Sequence, residues 1–429
     1  LDQYRKFERA AMAYKRGTVD TALDELFGQL PAILLDGPKA VGKTTTATQR
    51  AKTIKQLDLA ADRKRAVAES EWLVEGEKPI LIDEWQKVTE SWTLVKKSVD
   101  KDYSGGQFLL TGSLPDSGTH SGAGRITRLR MRPLSLSERE VEKTTISLAD
   151  LLNGKADIQG ESAFGVNDYS QEIARSGFFG IRGLEGGALA VALDGYIERI
   201  ISSDMKDVGL NVRRPATLRA WMASYAAATA TNAKWETIRD AANQGSDESP
   251  AKSAVIRYRD ALTRLRILDE LPPWLPTRNQ FTRVSAASKH YLADPALAMR
   301  LLSKSPSQLN SRAGYESHTS DKPLFGRMFE ALVALEVRSA AEASYAKVMH
   351  FRDAKGLREI DFIVERSDGK ILAIEVKLAE VITDADCRHL NWLELQLGSE
   401  LIDKVVIYSG RHAYRQNGVA LIPLALLRS

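Results

Sequence analysis

The sequence predicts a multidomain α/β protein: a parallel sheet near the N-terminus, a helical middle region and a second α/β region at the C-terminus. Three observations carry this. Short apolar runs at 32–35, 80–82 and, after Gln107, 108–110 read as strands buried on both faces. Residues 189–206 and 215–230 have helical apolar spacing, the second stretch being alanine-rich. Two further strands, Glu359-Ile360-Asp361-Phe362-Ile363-Val364 and Ile371-Leu372-Ala373-Ile374-Glu375-Val376-Lys377, flank the turn residues Ser367-Asp368-Gly369.

The first run leads into Gly37-Pro38-Lys39-Ala40-Val41-Gly42-Lys43-Thr44, followed by a Thr/Ala stretch able to start a helix. This fits G-x-x-x-x-G-K-[ST] in the strand-to-helix setting of a phosphate-binding loop. Glycines let backbone N–H groups curl around the phosphates of a nucleotide such as ATP. Gly37, Pro38, Lys39, Ala40, Val41, Gly42, Lys43, Thr44 and Thr45 are the candidate binding residues. Lys43 supplies a catalytic point charge and Thr44 a hydroxyl for Mg²⁺, while Thr45 and Thr46 fill the first helical turn.

The second run ends in Asp83-Glu84. Such a strand end places Asp83 to hold Mg²⁺ through water and Glu84 to orient and deprotonate the attacking water. The third run ends in Thr111-Gly112-Ser113, where Thr111 or Ser113 is the candidate γ-phosphate sensor or a simple turn cap. Beyond a Gly/Ser-rich loop, Arg125 and the alternating Arg128-Leu129-Arg130-Met131-Arg132 predict a half-buried strand with three arginines on one face. Either one of them reaches a phosphate or their charges protect a sheet edge.

The series GPKAVGKTTT, ILIDEWQKV, FLLTGS and GRITRLRMRPLSLSE resembles the AAA-type P-loop ATPases of bacteria and archaea that carry a C-terminal domain of unknown function. The resemblance continues through Ser176-Gly177-Phe178-Phe179, where the family tends to have Gly-Gly-Phe-Pro, then Tyr196-Ile197-Glu198-Arg199 and Lys289-His290-Tyr291-Leu292-Ala293-Asp294. It implies ATP and Mg²⁺ as cofactors. Related ATPases complete the site with an arginine from a neighbouring subunit, which makes a homo-oligomer or a partner protein an expected association, with Arg125, Arg128 and Arg130 open to act in cis or in trans.

Composition agrees with an enzyme-like globular chain: 429 residues, 43% hydrophobic and 27% charged, enough for two to four domains. Cys387 is the single cysteine, so no internal disulfide forms, and no apolar run is long enough to span a bilayer. The charged opening Leu1-Asp2-Gln3-Tyr4-Arg5-Lys6 lacks signal-peptide character, and the expected location is cytoplasmic with no membrane partner. A net charge of +4 permits DNA or RNA as a partner without requiring it.

Turn residues around 153–161 predict a P-loop domain over 1–160, a helical domain over 161–305 and a C-terminal domain over 306–429. Within the middle domain a short helix at 235–242, a turn at 243–246 and a longer helix from Ser249-Pro250 through Leu268 resemble a helix-turn-helix of winged-helix type. Val255, Tyr258, Leu262 and Leu265 form an apolar stripe, leaving Arg257, Arg259, Arg264 and Arg266 for DNA reading or for a solvated basic face.

In the C-terminal hairpin the register decides whether the acids meet. A two-residue Asp-Gly turn would throw Asp361 and Glu375 onto opposite faces. A three-residue loop with Gly369 in the left-handed conformation puts Asp361 opposite Glu375, with Lys377 on the same face, and this is the register expected here. Opposed carboxylates suit a divalent cation, Mg²⁺ or Mn²⁺, with Lys377 stabilising developing charge. Asp-x₁₃-Glu-x-Lys on a hairpin resembles the restriction-endonuclease-like (PD-(D/E)xK) core. The resemblance implies a Glu from a preceding helix, here Glu330, as a further metal ligand, with His389 and Gln396 as weaker phosphate contacts. The reading is therefore an ATP-hydrolysing protein acting on nucleic acid through a nuclease-like domain. The alternative is an ATP-gated DNA-binding regulator, or a defence or toxin–antitoxin component, whose nuclease-like domain is inert or a protein-binding platform.

Overall fold

The computed structural model describes residues 14–112, 124–242, 250–275, 287–311, 323–353 and 355–428. Contacts divide the chain into two compact units, Leu1–Asp36 with Gly42–Met131, and Gly37–Val41 with Arg132–Ser429. The protein is mixed α/β, with a parallel sheet in the first unit and a mixed sheet in the second.

In the first unit β1 (Ala32–Asp36), β2 (Thr53–Gln56), β3 (Ile80–Asp83), β4 (Phe108–Gly112) and β5 (Ile126–Arg130) form a parallel sheet in the order β2-β3-β4-β1-β5. Every residue of β1, β3 and β4 is buried, which is why these strands lack polar alternation. Helix α1 (Thr18–Phe27) precedes β1, α2 (Lys43–Thr48) follows it, and α3 (Glu90–Lys101) joins β3 to β4. Trp92, Val95 and Val99 of α3 share a core with Ala32, Leu34, Ile80, Ile82, Phe108 and Leu110. Because β4 lies between β1 and β3, Thr111 pairs with both Leu35 and Asp83, and the carboxyl ends of three strands converge. In open parallel sheets that edge is where ligands bind.

The second unit contains α4 (Val166–Ala174), α5 (Gly186–Arg199), α6 (Pro215–Ala227), α7 (Trp235–Ala241), α8 (Lys252–Arg264) and α9 (Pro295–Leu301). Helix α8 stops earlier than its apolar stripe predicts, because Arg266 adopts a positive φ of 62° that ends the helical path. The arginines also find partners inside the fold. Arg259 lies 4.5 Å over the Trp235 ring, and Arg264 donates to the Val208 carbonyl at 3.1 Å. The turn expected at 243–246 lies outside the described residues.

The strands of the second unit are β6 (Ile146–Ser147), β7 (Gly160–Glu161), β8 (Lys347–Arg352), β9 (Glu359–Glu365), β10 (Ile371–Lys377), β11 (Leu401–Tyr408), β12 (His412–Gln416), β13 (Val419–Pro423) and β14 (Leu427–Arg428). Seven strands run in the order β7-β12-β13-β11-β10-β9-β8, and β6 pairs separately with β14. Ile146, Ser147 and Gly160, inside the expected 1–160 domain, and Glu161, at the start of the expected 161–305 domain, thus supply β6 and β7, which pair with β14 and β12.

Helix α10 (Leu324–Ala343) precedes β8, and α11 (Arg388–Leu397) connects β10 to β11. Leu390, Leu393 and Leu397 of α11 pack with Ile363, Ile371, Ala373 and Val406 in one core. Alternation sends Phe362, Val364, Leu372 and Ile374 to the other face, where they are also buried. Helix α10 packs against β8 and β10 and is buried on nearly every side, as its mostly apolar sequence requires.

Candidate functional site

The phosphate-binding motif leaves β1 and turns into α2. Gly42 caps α2 with φ 101°, a conformation that a side chain would strain. Ala40 and Glu84 also hold positive φ, 65° and 55°, which is uncommon for residues with side chains and clusters at functional sites. Gly37, Pro38, Lys39, Ala40 and Val41 belong by contact to the second unit. There the Lys39 ammonium lies 2.7 Å from both Asp204 and Asp207, and the Tyr196 hydroxyl donates to the Lys39 carbonyl at 3.0 Å. This occupies Lys39 with protein carboxylates.

In the first unit Asp83 is the meeting point. The Thr44 hydroxyl donates to Asp83 Oδ1 at 2.7 Å, and the Thr111 hydroxyl donates to the same oxygen. Two hydroxyls on one buried carboxylate make an oxygen donor set suited to a small hard cation such as Mg²⁺. Glu84, one residue on, accepts from the Gln86 side chain at 2.8 Å. Gln86 was not singled out in the sequence; only its place two residues after the acid could have marked it. Thr45 is exposed at the start of α2, whereas Ser113 lies outside the described residues.

Lys43 is 6% exposed. Burial pushes its ammonium down to about 8, although the nearby Glu84, Asp36 and Asp83 carboxylates pull the other way; Arg130 adds to the depression. An ammonium held this close to its titration point gains strongly from a phosphate. Arg128 lies 3.7 Å from Asp36, Arg125 pairs with Asp100 at 2.6 Å, and β5 ends at Arg130. Arg132 leaves the strand and pairs with Asp269 and Glu342, each at 3.0 Å, which removes it from the expected row of three.

At the C-terminal hairpin the backbone adopts the three-residue register. Ile371 pairs with Glu365 and Ile374 with Phe362, Gly369 has φ 81°, and continuing that register sets Glu375 opposite Asp361. The carboxylates nevertheless do not assemble into the expected ion site. Asp361 and Glu330 both turn to Lys289, at 2.8 and 3.0 Å, and Glu359 reaches the same ammonium at 2.7 Å. Glu375 instead lies 3.6 Å from Lys377 and 3.7 Å from His389, whose Nδ1 is 2.8 Å from the Glu359 carbonyl. Among the described residues no group of three or more His, Cys, Asp or Glu side chains could hold a metal ion. Of the expected ligand set, Glu330 and Asp361 thus share the Lys289 ammonium, while Glu375 stands beside Lys377 and His389. Gln396 is exposed on α11.

Burial alone would lower the Lys289 ammonium, but Asp361, Glu330 and Glu359 together hold it well above the usual lysine range. In the sequence Lys289 stands out only as part of the stretch Lys289-His290-Tyr291-Leu292-Ala293-Asp294. A lone charge entering an apolar extended segment was the available signal.

Comparison with known families assigns residues 29–140 to an AAA domain, which supports an AAA-type P-loop ATPase for that segment. Residues 169–308 and 325–427 match two domains of unknown function (DUF8612 and DUF4143). Uncharacterized proteins of Mycobacterium bovis and Mycobacterium tuberculosis are each 23% identical over 415 residues, covering 94% of this chain and 82% of theirs. Among the described residues no helix is long and apolar enough to cross a membrane.

Proposed function

We propose that the protein binds and hydrolyses ATP with Mg²⁺ at the carboxyl ends of β1, β3 and β4. The observation carrying this reading is the convergence of Thr44 and Thr111 on Asp83, with buried Lys43 and the held carboxylate of Glu84 in the same unit. Mg²⁺, when bound with ATP, neutralises phosphate charge. Thr44 and Asp83 are the residues that would hold it, Lys43 balances the terminal phosphates, and Thr111 keeps Asp83 oriented. Glu84 takes the proton from the attacking water, with Gln86 fixing the carboxylate. Glu84→Gln should retain ATP while turnover falls at least about 100-fold, the usual scale for loss of a general base. Undiminished turnover would remove Glu84 from the role. Chelation with EDTA tests the Mg²⁺ requirement.

For the rest of the chain we infer a helical, winged-helix-like domain over 161–305 and a restriction-endonuclease-like domain over 306–429. The order α10-β8-β9-β10-α11-β11, with β8, β9 and β10 antiparallel and β11 parallel to β10, supports the second assignment. DNA or RNA is the proposed partner class, a cytoplasmic setting and a homo-oligomer the proposed context. Binding to duplex and single-stranded nucleic acid across a salt series tests the partner, since phosphate contacts weaken steeply with salt.

A further inference from the structure

The acids that a divalent cation would need in a nuclease-like core already hold a cation, and it belongs to the chain. Lys289 is fully buried. Its backbone is pinned in both directions to Leu271, N–H to carbonyl and carbonyl to N–H, each at 2.9 Å. Its ammonium has three N–H donors and faces three carboxylates, Glu330, Asp361 and Glu359, at 3.0, 2.8 and 2.7 Å. Two of the acids accept further hydrogen bonds: Tyr291 donates at 2.7 Å to the same Glu330 oxygen that meets Lys289, and the Val376 N–H donates to the second oxygen of Asp361 at 2.9 Å.

A Mg²⁺ ion needs oxygen ligands at roughly 2.0–2.1 Å and would have to share this space with a like-charged ammonium. The two cannot coexist between Glu330 and Asp361. Glu375, the remaining expected ligand, has Lys377 and His389 as neighbours instead. We propose that Lys289 is the resident cation of the C-terminal domain, a covalently tethered replacement for the divalent ion, so that the folded domain takes up no Mg²⁺ or Mn²⁺ at Asp361. The domain is then complete without metal and does not hydrolyse phosphodiesters by a metal-bound water. Its acids serve to seat the segment carrying Lys289 against α10 and β9.

The test is Mn²⁺ titration by calorimetry of the full chain without nucleotide, which makes it independent of ATP turnover. Wild type and Asp361→Asn should give superimposable isotherms. Lys289→Ala removes the ammonium and leaves the carboxylates, and it should gain one Mn²⁺ site at least tenfold tighter than any in wild type. That site should vanish in Lys289→Ala/Asp361→Asn. If Lys289→Ala unfolds alone, circular dichroism with millimolar Mn²⁺ should show the fold restored. A wild-type Mn²⁺ site that Asp361→Asn abolishes would overturn the proposal. So would a Lys289→Ala variant that gains no Asp361-dependent site, or that stays unfolded with and without Mn²⁺, because a replacement cation must be exchangeable for the ion it replaces.

Discussion

Lys43→Met should make the nucleotide-free protein more stable while abolishing ATP binding. The Lys43 ammonium is displaced from its ordinary 10.5 to about 8, with burial as the leading cause. At about 1.4 kcal/mol per pH unit, keeping this charge in the folded state costs about 3 kcal/mol at neutral pH. Methionine has similar length and no charge, so it removes that cost and fills the same space. The pH dependence has a definite sign. Between about pH 8 and 10.5 the unfolded chain holds a proton on Lys43 that the folded chain has released, so wild-type stability from this group rises with pH. The advantage of Lys43→Met should be full at pH 7, shrink from about pH 8 and disappear above pH 10.5. Urea unfolding of the nucleotide-free chain, followed by circular dichroism at constant slope, measures it. Added ATP and Mg²⁺ should raise the wild-type midpoint and leave the variant where it was. A variant no more stable than wild type at pH 7, or an advantage that does not change with pH, would refute the reasoning.

Burial pushes Glu336 up to about 7, although the Ser137 hydroxyl and N–H, at 2.6 and 2.9 Å, stabilise its carboxylate. Its stabilising contribution is full below about pH 4.5 and lost as pH rises through about 7, so Glu336→Gln should flatten the stability profile across that window by up to about 3 kcal/mol. A profile indistinguishable from wild type would exclude this group. At the hairpin, Gly369 has φ 81° and open space where a Cβ would stand. Gly369→Ala should therefore lose about 1–2 kcal/mol through backbone strain alone, with Gly369→Asn losing less; equal stability of all three in denaturant titrations would contradict the strain.

Local chemistry made the nucleotide site legible. A glycine loop has to adopt conformations such as that of Gly42, and unbroken apolar runs have to be covered on both faces. Loop, strands and their terminal Thr44, Asp83, Glu84 and Thr111 could therefore be placed in order from residue types alone. The hairpin register followed for the same reason: Gly369 lies within the turn, and turn geometry sets which residues stand opposite one another. Which cation meets the acids was beyond such reasoning. Lys289 lies 41 residues from Glu330 and 72 from Asp361, and an isolated lysine reads as a solvated surface charge until its neighbours are known. The same holds for Arg132, drawn from a strand pattern into buried pairs with Asp269 and Glu342, and for β6 and β7, whose partners β14 and β12 lie far away in the sequence. Lys289 and Arg132 enter the interior where opposite charges have been gathered from distant parts of the chain, so their burial, unlike a turn or an apolar period, is decided by the tertiary fold.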